Sequence, residues 1–557
     1  MSSAVRRFTP ALFHDAGKMG KLFCALTALG MPLAATAQEL PKPKAEHVVL
    51  VIWDGMRPDF IREDTTPNAF TLAKSGTFFA NNHAVYISST EVNGSTLATG
   101  MLPRNTGIIA NREYRPEVNL IKPVDMQHPW PVRLGDAMHG DHWLLAPTVA
   151  ETVRAAGFTA AVAGTKAVAL LHDRHHDRDV YSGAPIVFEG TTYPKSYADE
   201  LAALLGKWPD FPKENAAALL GKLMPAGWVP SSNTAQNLWT TRTLIEGLWS
   251  KGVPKYSVLW LGDPDYSQHF TQPGAPTALA AIRDCDTHLG MVLAALEKRG
   301  VRDKTDVLLV SDHGFSTVER AVDFTEMLRK YGTTAKVPFR AETQFKHTPK
   351  PGDVMIIGVG GSTAIYAHEH DAAITGEIVD WLQASDFCGV IYTRDGLPGT
   401  FPFSAVAIDS PTPPDIIFSY VWSERANKSG APGSLTSEGK TTGKGTHASM
   451  SRFDIHNTLL AAGPDIRPGL RSEIPSGNVD VAPTIYHLLG IAPPLTLDGR
   501  VLTEALAGWA GTSPTAETSR KEITRDLPGG KTWKQWIQTT KFGDKTYLDE
   551  GNSSAAK

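Results

Sequence analysis

Three apolar runs in this chain end in acid: "HVVLVIWDG" (47–55), "YSVLWLGDPD" (256–265) and "TDVLLVSDHG" (305–314). Each is short, rich in Val, Ile and Leu, and bounded by turn residues, so each reads as a strand buried on both faces. Helical patterns lie between them. "TPNAFTLAKSG" (66–76) has Thr66 as N-cap, Pro67 in the first turn and Gly76 past the end. "TTRTLIEGLWSKG" (240–252), "ALAAIRDCDTHLGMVLAALEKRG" (278–300) and "VDVAPTIYHLLG" (479–490) read as helices, and "TVAETVRAAGFTAAVAG" (148–164) as helix then strand. Strand–helix alternation of this kind predicts an α/β domain around a largely parallel sheet. In such sheets ligands bind beyond the carboxyl ends of the strands, where these acids converge.

The rest of the 557 residues is less regular. From about 320 to 440 the alternation is lost, and "KVPFRAETQFKHTPKPGD" and "SERANKSGAPGSLTSEGKTTGKG" read as long surface loops on an inserted cap region. Residues 511–557 read as a polar C-terminal tail, leaving 45–510 as the catalytic domain. At the other end, "MGKLFCALTALGMPLAATAQE" has a positive start, a short apolar run and Ala35-Thr36-Ala37. This predicts a signal peptide over 1–37, cleaved after Ala37, and an exported, periplasmic or secreted protein. The start codon is Met1 or Met19; "VRRF" is a loose match to a twin-arginine signal, and Cys24 sits too early for lipid attachment. The apolar run is too short to span a bilayer, and no other segment predicts stable membrane association. Cys285 and Cys388 then remain, and export permits but does not require their pairing. A net charge near −4 without a basic run argues against a nucleic acid polymer as partner.

The strand-end acids have histidine company. Asp54 closes the first run, "DPDYSQH" holds Asp265 and His269, "SDHG" holds Asp312 and His313, and "GKGTHASMS" holds His447 in a glycine-rich loop. Alone, each is an ordinary cap, turn former or loop histidine. Together, three carboxylates and three imidazoles suit zinc, with enough ligands for two ions. "LHDRHHDRD" is a rival cluster with His172, His175 and His176, but Arg174 and Arg178 interrupt it, and it reads as a solvated loop.

The set Asp54, Thr90, Asp265-x-x-x-His269, Asp312-His313 and His447 resembles the alkaline phosphatase superfamily, closest to its type I phosphodiesterase/nucleotide pyrophosphatase branch. Order and spacing match from about 47 to 510. The resemblance implies a three-layer αβα sandwich with inserted cap regions and two Zn²⁺. One zinc would be held by Asp54, Asp312 and His313 and touch Thr90, the other by Asp265, His269 and His447. Thr90, in "VYISSTEVNGSTLATG", would be the nucleophile and pass through a phosphothreonine. Zinc lowers the hydroxyl pKa, and a metal pair clamps attacking and leaving oxygens. Asn111, ending "TGIIAN", and a backbone N–H near Glu91 would hold phosphoryl oxygens, helped by the helix start. Ser88, Ser89, Ser95, Thr96 and Thr99 read as turn, cap or packing hydroxyls.

The sequence departs from that branch at "TEVNG", which lacks the aromatic common beside the nucleophile and puts Glu91 there, facing either the phosphate or solvent. "AGTKAVALLHDR" instead resembles the stretch carrying a substrate lysine in threonine-type monoesterases and phosphonoacetate hydrolases; Lys166 stands there, with Val168 where an arginine often follows. The expected function is a zinc-dependent hydrolase of phosphodiester or pyrophosphate bonds in a small-molecule phosphate ester. A phosphomonoesterase or phosphonoacetate hydrolase-like enzyme using Lys166 is the alternative, and a non-catalytic exported zinc-binding protein the remote one. No formylglycine motif is present, which excludes sulfatase-type chemistry.

Overall fold

The computed structural model describes residues 39–140, 143–174, 185–209, 233–439 and 441–554. The expected signal peptide over 1–37 lies outside them. Strand His47–Asp54 is central and buried along almost its whole length, and its alternation builds two cores. Val48, Leu50 and Ile52 face one core with helices Thr90–Thr99, Val149–Ala155 and Val481–Leu489. Val49, Val51 and Trp53 face the other with helices Pro67–Ser75 and Pro276–Lys298. The result is a helix–sheet–helix sandwich.

Among the described residues the sheet has nine strands. Its middle runs Thr305–Val310, His47–Asp54, Tyr256–Pro264, Ala160–Gly164, Ile186–Phe188, all parallel. Antiparallel Leu459–Ala462 extends one side and Thr191–Tyr193 the other. The sheet is therefore mixed, with a parallel centre. Parallel pairing brings Asp54, Asp265 and Asp312 to one sheet edge, with a register shift between Trp53 and Asp54 beside the Tyr256–Pro264 strand.

The region from 320 to 440 is more ordered than its composition suggests. A six-stranded sheet includes Asp353–Gly358, Ser362–Ala367, Cys388–Thr393 and Ile416–Tyr420. Helices Phe324–Thr334 and Ala372–Gln383 cover one face. The other face packs on Tyr86, Ile87, Ile109 and Met450. "SERANKSGAPGSLTSEG", expected as loop, instead pairs Trp422–Ala426 with Pro432–Glu438 as a hairpin. Asn427 and Gly430 make its turn through a backbone hydrogen bond, and polar side chains are admitted on Trp422–Ala426 because that edge strand is half-buried to exposed throughout.

The expectation of a polar tail over 511–557 is corrected. Ala516–Leu527, Lys531–Phe542 and Lys545–Ser554 form an antiparallel sheet. Trp533, Gln535 and Ile537 point inward at every second position, a period the high content of Lys, Thr and Gln conceals. No helix among the described residues is long and apolar enough to cross a membrane.

Candidate active site

Gly55 closes the first strand with φ 71°, and a Cβ there would come within 3.0 Å of the Asp265 Cβ. Glycine thus lets the Asp54 and Asp265 backbones approach. The Gly55 N–H donates to Asp312 Oδ1 at 3.0 Å, joining the third strand end. Trp260, on the neighbouring strand, donates from Nε1 to Asp54 Oδ2 at 2.9 Å.

The three histidines share one construction. His313 Nδ1 is 2.9 Å from the Gly314 carbonyl, His447 Nδ1 is 2.9 Å from the Ser88 carbonyl, and His269 Nδ1 is 3.2 Å from the Gly445 carbonyl. A carbonyl only accepts, so each Nδ1 carries a proton and each Nε2 is turned into the site. These Nε2 atoms face carboxylates. His269 Nε2 and His447 Nε2 are 3.2 and 3.4 Å from Asp265 Oδ1; His313 Nε2 is 3.2 Å from Asp312 Oδ2 and 3.7 Å from Asp54 Oδ1. Those three carboxylate oxygens are buried without a hydrogen bond. Buried carboxylate oxygens without a hydrogen bond, gathered with imidazole nitrogens, are a donor set for a divalent metal.

Ligand atoms of Asp265, His269 and His447 lie within 4.8 Å of one another, as do those of Asp54, Asp265 and His313. These are five of the six expected residues, and Asp312 joins them through its 3.2 Å approach to His313 Nε2. Asp265 reaches both groups, whereas the expected division placed it in one. Burial raises the Asp54 and Asp312 carboxyls above their ordinary range. At Asp265 burial acts the same way and is the largest single effect, but the Lys166 ammonium together with His269 and His447 outweighs it and holds the carboxyl well below that range. Burial, then the neighbouring His313, keeps His447 neutral.

Thr90 is the first residue of helix Thr90–Thr99, and its Oγ1 is 3.3 Å from His313 Nε2. The preceding turn is held by Asn93, whose amide bonds Val85, Ile87 and Ser89. Asn111 Oδ1 accepts the Glu91 N–H at 3.1 Å, so an incoming phosphoryl oxygen would have to take that N–H from the amide. Glu91 is buried beside Thr90, not turned to solvent, and burial pushes its carboxyl up to about 8 against the pull of Lys166.

Lys166 reaches the same cluster. Its Nζ is 2.6 Å from Asp265 Oδ2 and 2.9 Å from Asp54 Oδ2. Its charge is thus committed to carboxylates. The described part of the rival cluster, His172 to Arg174, is buried and not a solvated loop. His172 is buried, packs edge-on to Trp260 at 5.6 Å, and is kept neutral by burial with a pKa of about 3. Arg174 is buried and pairs with Asp136 at 2.8 Å. His175, His176 and Arg178 lie outside the described residues. Trp260, Gly55 and Asn93 went unremarked in the sequence because an apolar run, a turn glycine and a helix asparagine carry no local mark of a site.

A cavity of about 480 Å³ opens over His269 and His447, lined by Asn111, Arg112, Gln127 and Thr343.

Comparison with known proteins gives a consistent picture. Residues 48–420 match the profile of the family described as type I phosphodiesterase / nucleotide pyrophosphatase. Human ectonucleotide pyrophosphatase/phosphodiesterase family member 5 is 24% identical over 291 residues, 52% of this chain and 49% of that protein. The chain thus spans about half the length of that relative. Human family member 7 is 22% identical over 491 residues, 86% of this chain and 88% of that protein. Among solved structures, murine ectonucleotide pyrophosphatase/phosphodiesterase 5, an inactive variant in complex with AMP, superposes with a TM-score of 0.54 at 17% identity. It covers 83% of this chain and 100% of its own, and that likeness concerns the fold.

Proposed function

Because the chain belongs to the type I phosphodiesterase/nucleotide pyrophosphatase family, we propose that it hydrolyses phosphodiester or pyrophosphate bonds of small molecules through Thr90. The observation that carries this is a buried hydroxyl at a helix start, 3.3 Å from the His313 Nε2, inside a cluster of carboxylates and imidazoles. When bound, two zinc ions held by Asp54, Asp312 and His313 and by Asp265, His269 and His447 would supply positive charge that lowers the hydroxyl pKa and neutralises the leaving oxygen. Thr90 Oγ attacks phosphorus, the bond to the leaving alcohol or phosphate breaks, and a phosphothreonine remains. Water then attacks that phosphorus and frees Thr90. Asn111 Nδ2 and the Glu91 N–H hold phosphoryl oxygens, with the dipole of helix Thr90–Thr99 behind them.

Two observations favour a monoanionic diester over a dianionic monoester. Lys166 is already paired twice with carboxylates, so it has little charge to spare for an extra phosphate oxygen. Glu91 is buried next to the nucleophile, and above about pH 8, where its carboxyl is ionised, it repels a dianion more than a monoanion. Export rests on the N-terminal pattern read in the sequence.

The test compares kcat/KM for bis(p-nitrophenyl) phosphate and p-nitrophenyl phosphate on zinc-loaded protein. A preference for the diester is expected, and a preference for the monoester would overturn the reading in favour of a phosphomonoesterase. Thr90→Ala separates an enzyme from a zinc-binding protein: turnover is expected to disappear while metal content stays.

A further inference from the structure

Four asparagines are buried together beside the strand end that carries Asp312: Asn82, Asn93, Asn457 and Asn478, each at most 1% exposed. A buried amide is costly unless its donors and acceptors are used. What each amide faces fixes its orientation. Asn93 turns Nδ2 to the Val85, Ile87 and Ser89 carbonyls, which leaves its Oδ1 to accept the Val85 N–H at 2.8 Å. Asn478 turns Nδ2 to the Asp312 carbonyl at 2.6 Å and to Asn93 Oδ1 at 3.0 Å. Its Oδ1 accepts Nδ2 of Asn457 at 3.0 Å and Nδ2 of Asn82 at 3.3 Å. Both donors and both lone pairs of the Asn478 amide are therefore engaged. Asn457 also donates to the Ser311 carbonyl, so two successive carbonyls of that strand end are held.

The two acceptors of Asn478 belong to different parts of the candidate site. Asn93 stands one helical turn after Thr90 and closes the turn that leads into it. The Asp312 carbonyl shares a rigid peptide plane with the His313 N–H. Thr90 Oγ1 and His313 Nε2 are 3.3 Å apart, so Asn478 bridges the backbone on both sides of that approach. The two N–H bonds of a primary amide diverge at a fixed angle in one plane, and each tolerates only a narrow range of length. Both acceptors are thus held at one separation. The amide is itself anchored: Asn478 lies between strand Ser476–Gly477 and helix Val481–Leu489. Asp480 accepts the Gly477 N–H at 2.9 Å, and Tyr547 of the C-terminal sheet donates to the same Asp480 oxygen at 2.8 Å.

We infer that Asn478 is a positioning residue that sets the distance of the Thr90 hydroxyl from Asp312 and His313. This rests on the Thr90 reading. Its bond to Asp312 is to the main-chain carbonyl and leaves the carboxylate alone, so it acts on spacing and not on metal content. In-line attack depends on that spacing more steeply than substrate uptake does, so its loss lowers kcat and spares KM. A serine offers one donor and an alanine none, and neither can hold both acceptors.

The experiment compares Asn478→Ala and Asn478→Ser with Asn82→Ala, each zinc-loaded, for kcat and KM on bis(p-nitrophenyl) phosphate, zinc content and thermal unfolding. Asn82 bonds Asn457, Asn478 and Ser476 but touches neither Asn93 nor Asp312, so its loss reports what weakening the cluster does by itself. Calorimetry adds the affinities of inorganic phosphate and of orthovanadate, which takes the five-coordinate shape of the transition state. In both Asn478 variants kcat should fall by about 10²-fold, the cost of roughly 1 Å of misplacement, with KM near the parent value. Vanadate should weaken by a similar factor while phosphate binding and zinc content hold. Asn82→Ala should lose comparable thermal stability and keep its kcat. A kcat that falls as far in Asn82→Ala would make the cluster merely structural and overturn the inference. Equal weakening of vanadate and phosphate would overturn it as well, by placing the effect in ground-state binding. An unchanged kcat in the Asn478 variants, with Thr90→Ala inactive, would overturn it and leave the Thr90 reading standing. Full turnover by Thr90→Ala would sink both.

Discussion

At the scale of single residues, the candidate site is organised by who holds which proton. Backbone carbonyls at Gly314, Ser88 and Gly445 hold a proton on each histidine Nδ1, and that turns three Nε2 atoms toward three carboxylates. Lys166 lies against the same carboxylates from the other side. Removing one partner of a buried ion pair leaves uncompensated charge and costs about 3–5 kcal/mol. Lys166 is partly exposed, so a value at or below the lower end is expected for Lys166→Met, read from urea unfolding in the presence of a chelator. An unchanged midpoint would mean that water replaces the ammonium freely. Thr90→Ala removes only a hydroxyl, and its expected loss of turnover is about 10³-fold or more, measured as kcat on the diester.

At the scale of elements, the C-terminal sheet matters more than its composition suggests. Strand Cys388–Thr393 has a register irregularity between Cys388 and Ile391. Gln535, from strand Lys531–Phe542, repairs it: its Oε1 accepts the Ile391 N–H at 2.7 Å and its Nε2 donates to the Ile391 and Gly399 carbonyls at 3.3 and 2.9 Å. Gln535→Ala strands a buried backbone N–H, and a loss of about 1–3 kcal/mol is expected in equilibrium unfolding. A loss below about 0.5 kcal/mol would show that another donor or water takes its place. Helix Val149–Ala155 carries a smaller contribution of the same kind. Thr148 accepts the Glu151 N–H while Glu151 accepts the Thr148 N–H, a reciprocal cap at 3.2 and 2.8 Å. Thr148→Ala should cost about 1 kcal/mol.

At the scale of the whole molecule, buried titratable groups set the response to pH. Asp306, on strand Thr305–Val310, accepts the Asp465 N–H at 3.2 Å, and burial, then the Asp465 carboxylate, pushes its pKa up to about 7. The folded state therefore holds a proton that the unfolded chain, with a carboxyl near pH 4, has released. Stability from this group is present below about pH 4 and lost as pH rises to about 7. His172 and His456 act with the opposite sign. Burial holds both neutral, with pKa values of about 3, so their contribution is present above about pH 6.5 and lost as pH falls towards 3. Asp306→Asn should raise the urea midpoint at pH 8 relative to the parent and narrow the difference at pH 4. An equal shift at both values would rule out titration as its cause.

The parallel centre of the sheet was legible in the sequence, because a strand buried on both faces must be apolar along its interior and residues 48–53 of His47–Asp54 are. So were the chemical types that gather at its edge, since strands that run parallel deliver their last residues to one side. The C-terminal sheet and the hairpin at 422–438 were not legible: a strand with one exposed face can be mostly polar, and its period shows only once burial is known. Nor could the sequence say that Asp265 lies between both ligand groups or that Lys166 rests on Asp54. Those depend on side chains far apart in the chain reaching the same few ångströms. Local pattern determines what each segment is, and long-range packing alone decides what each side chain faces.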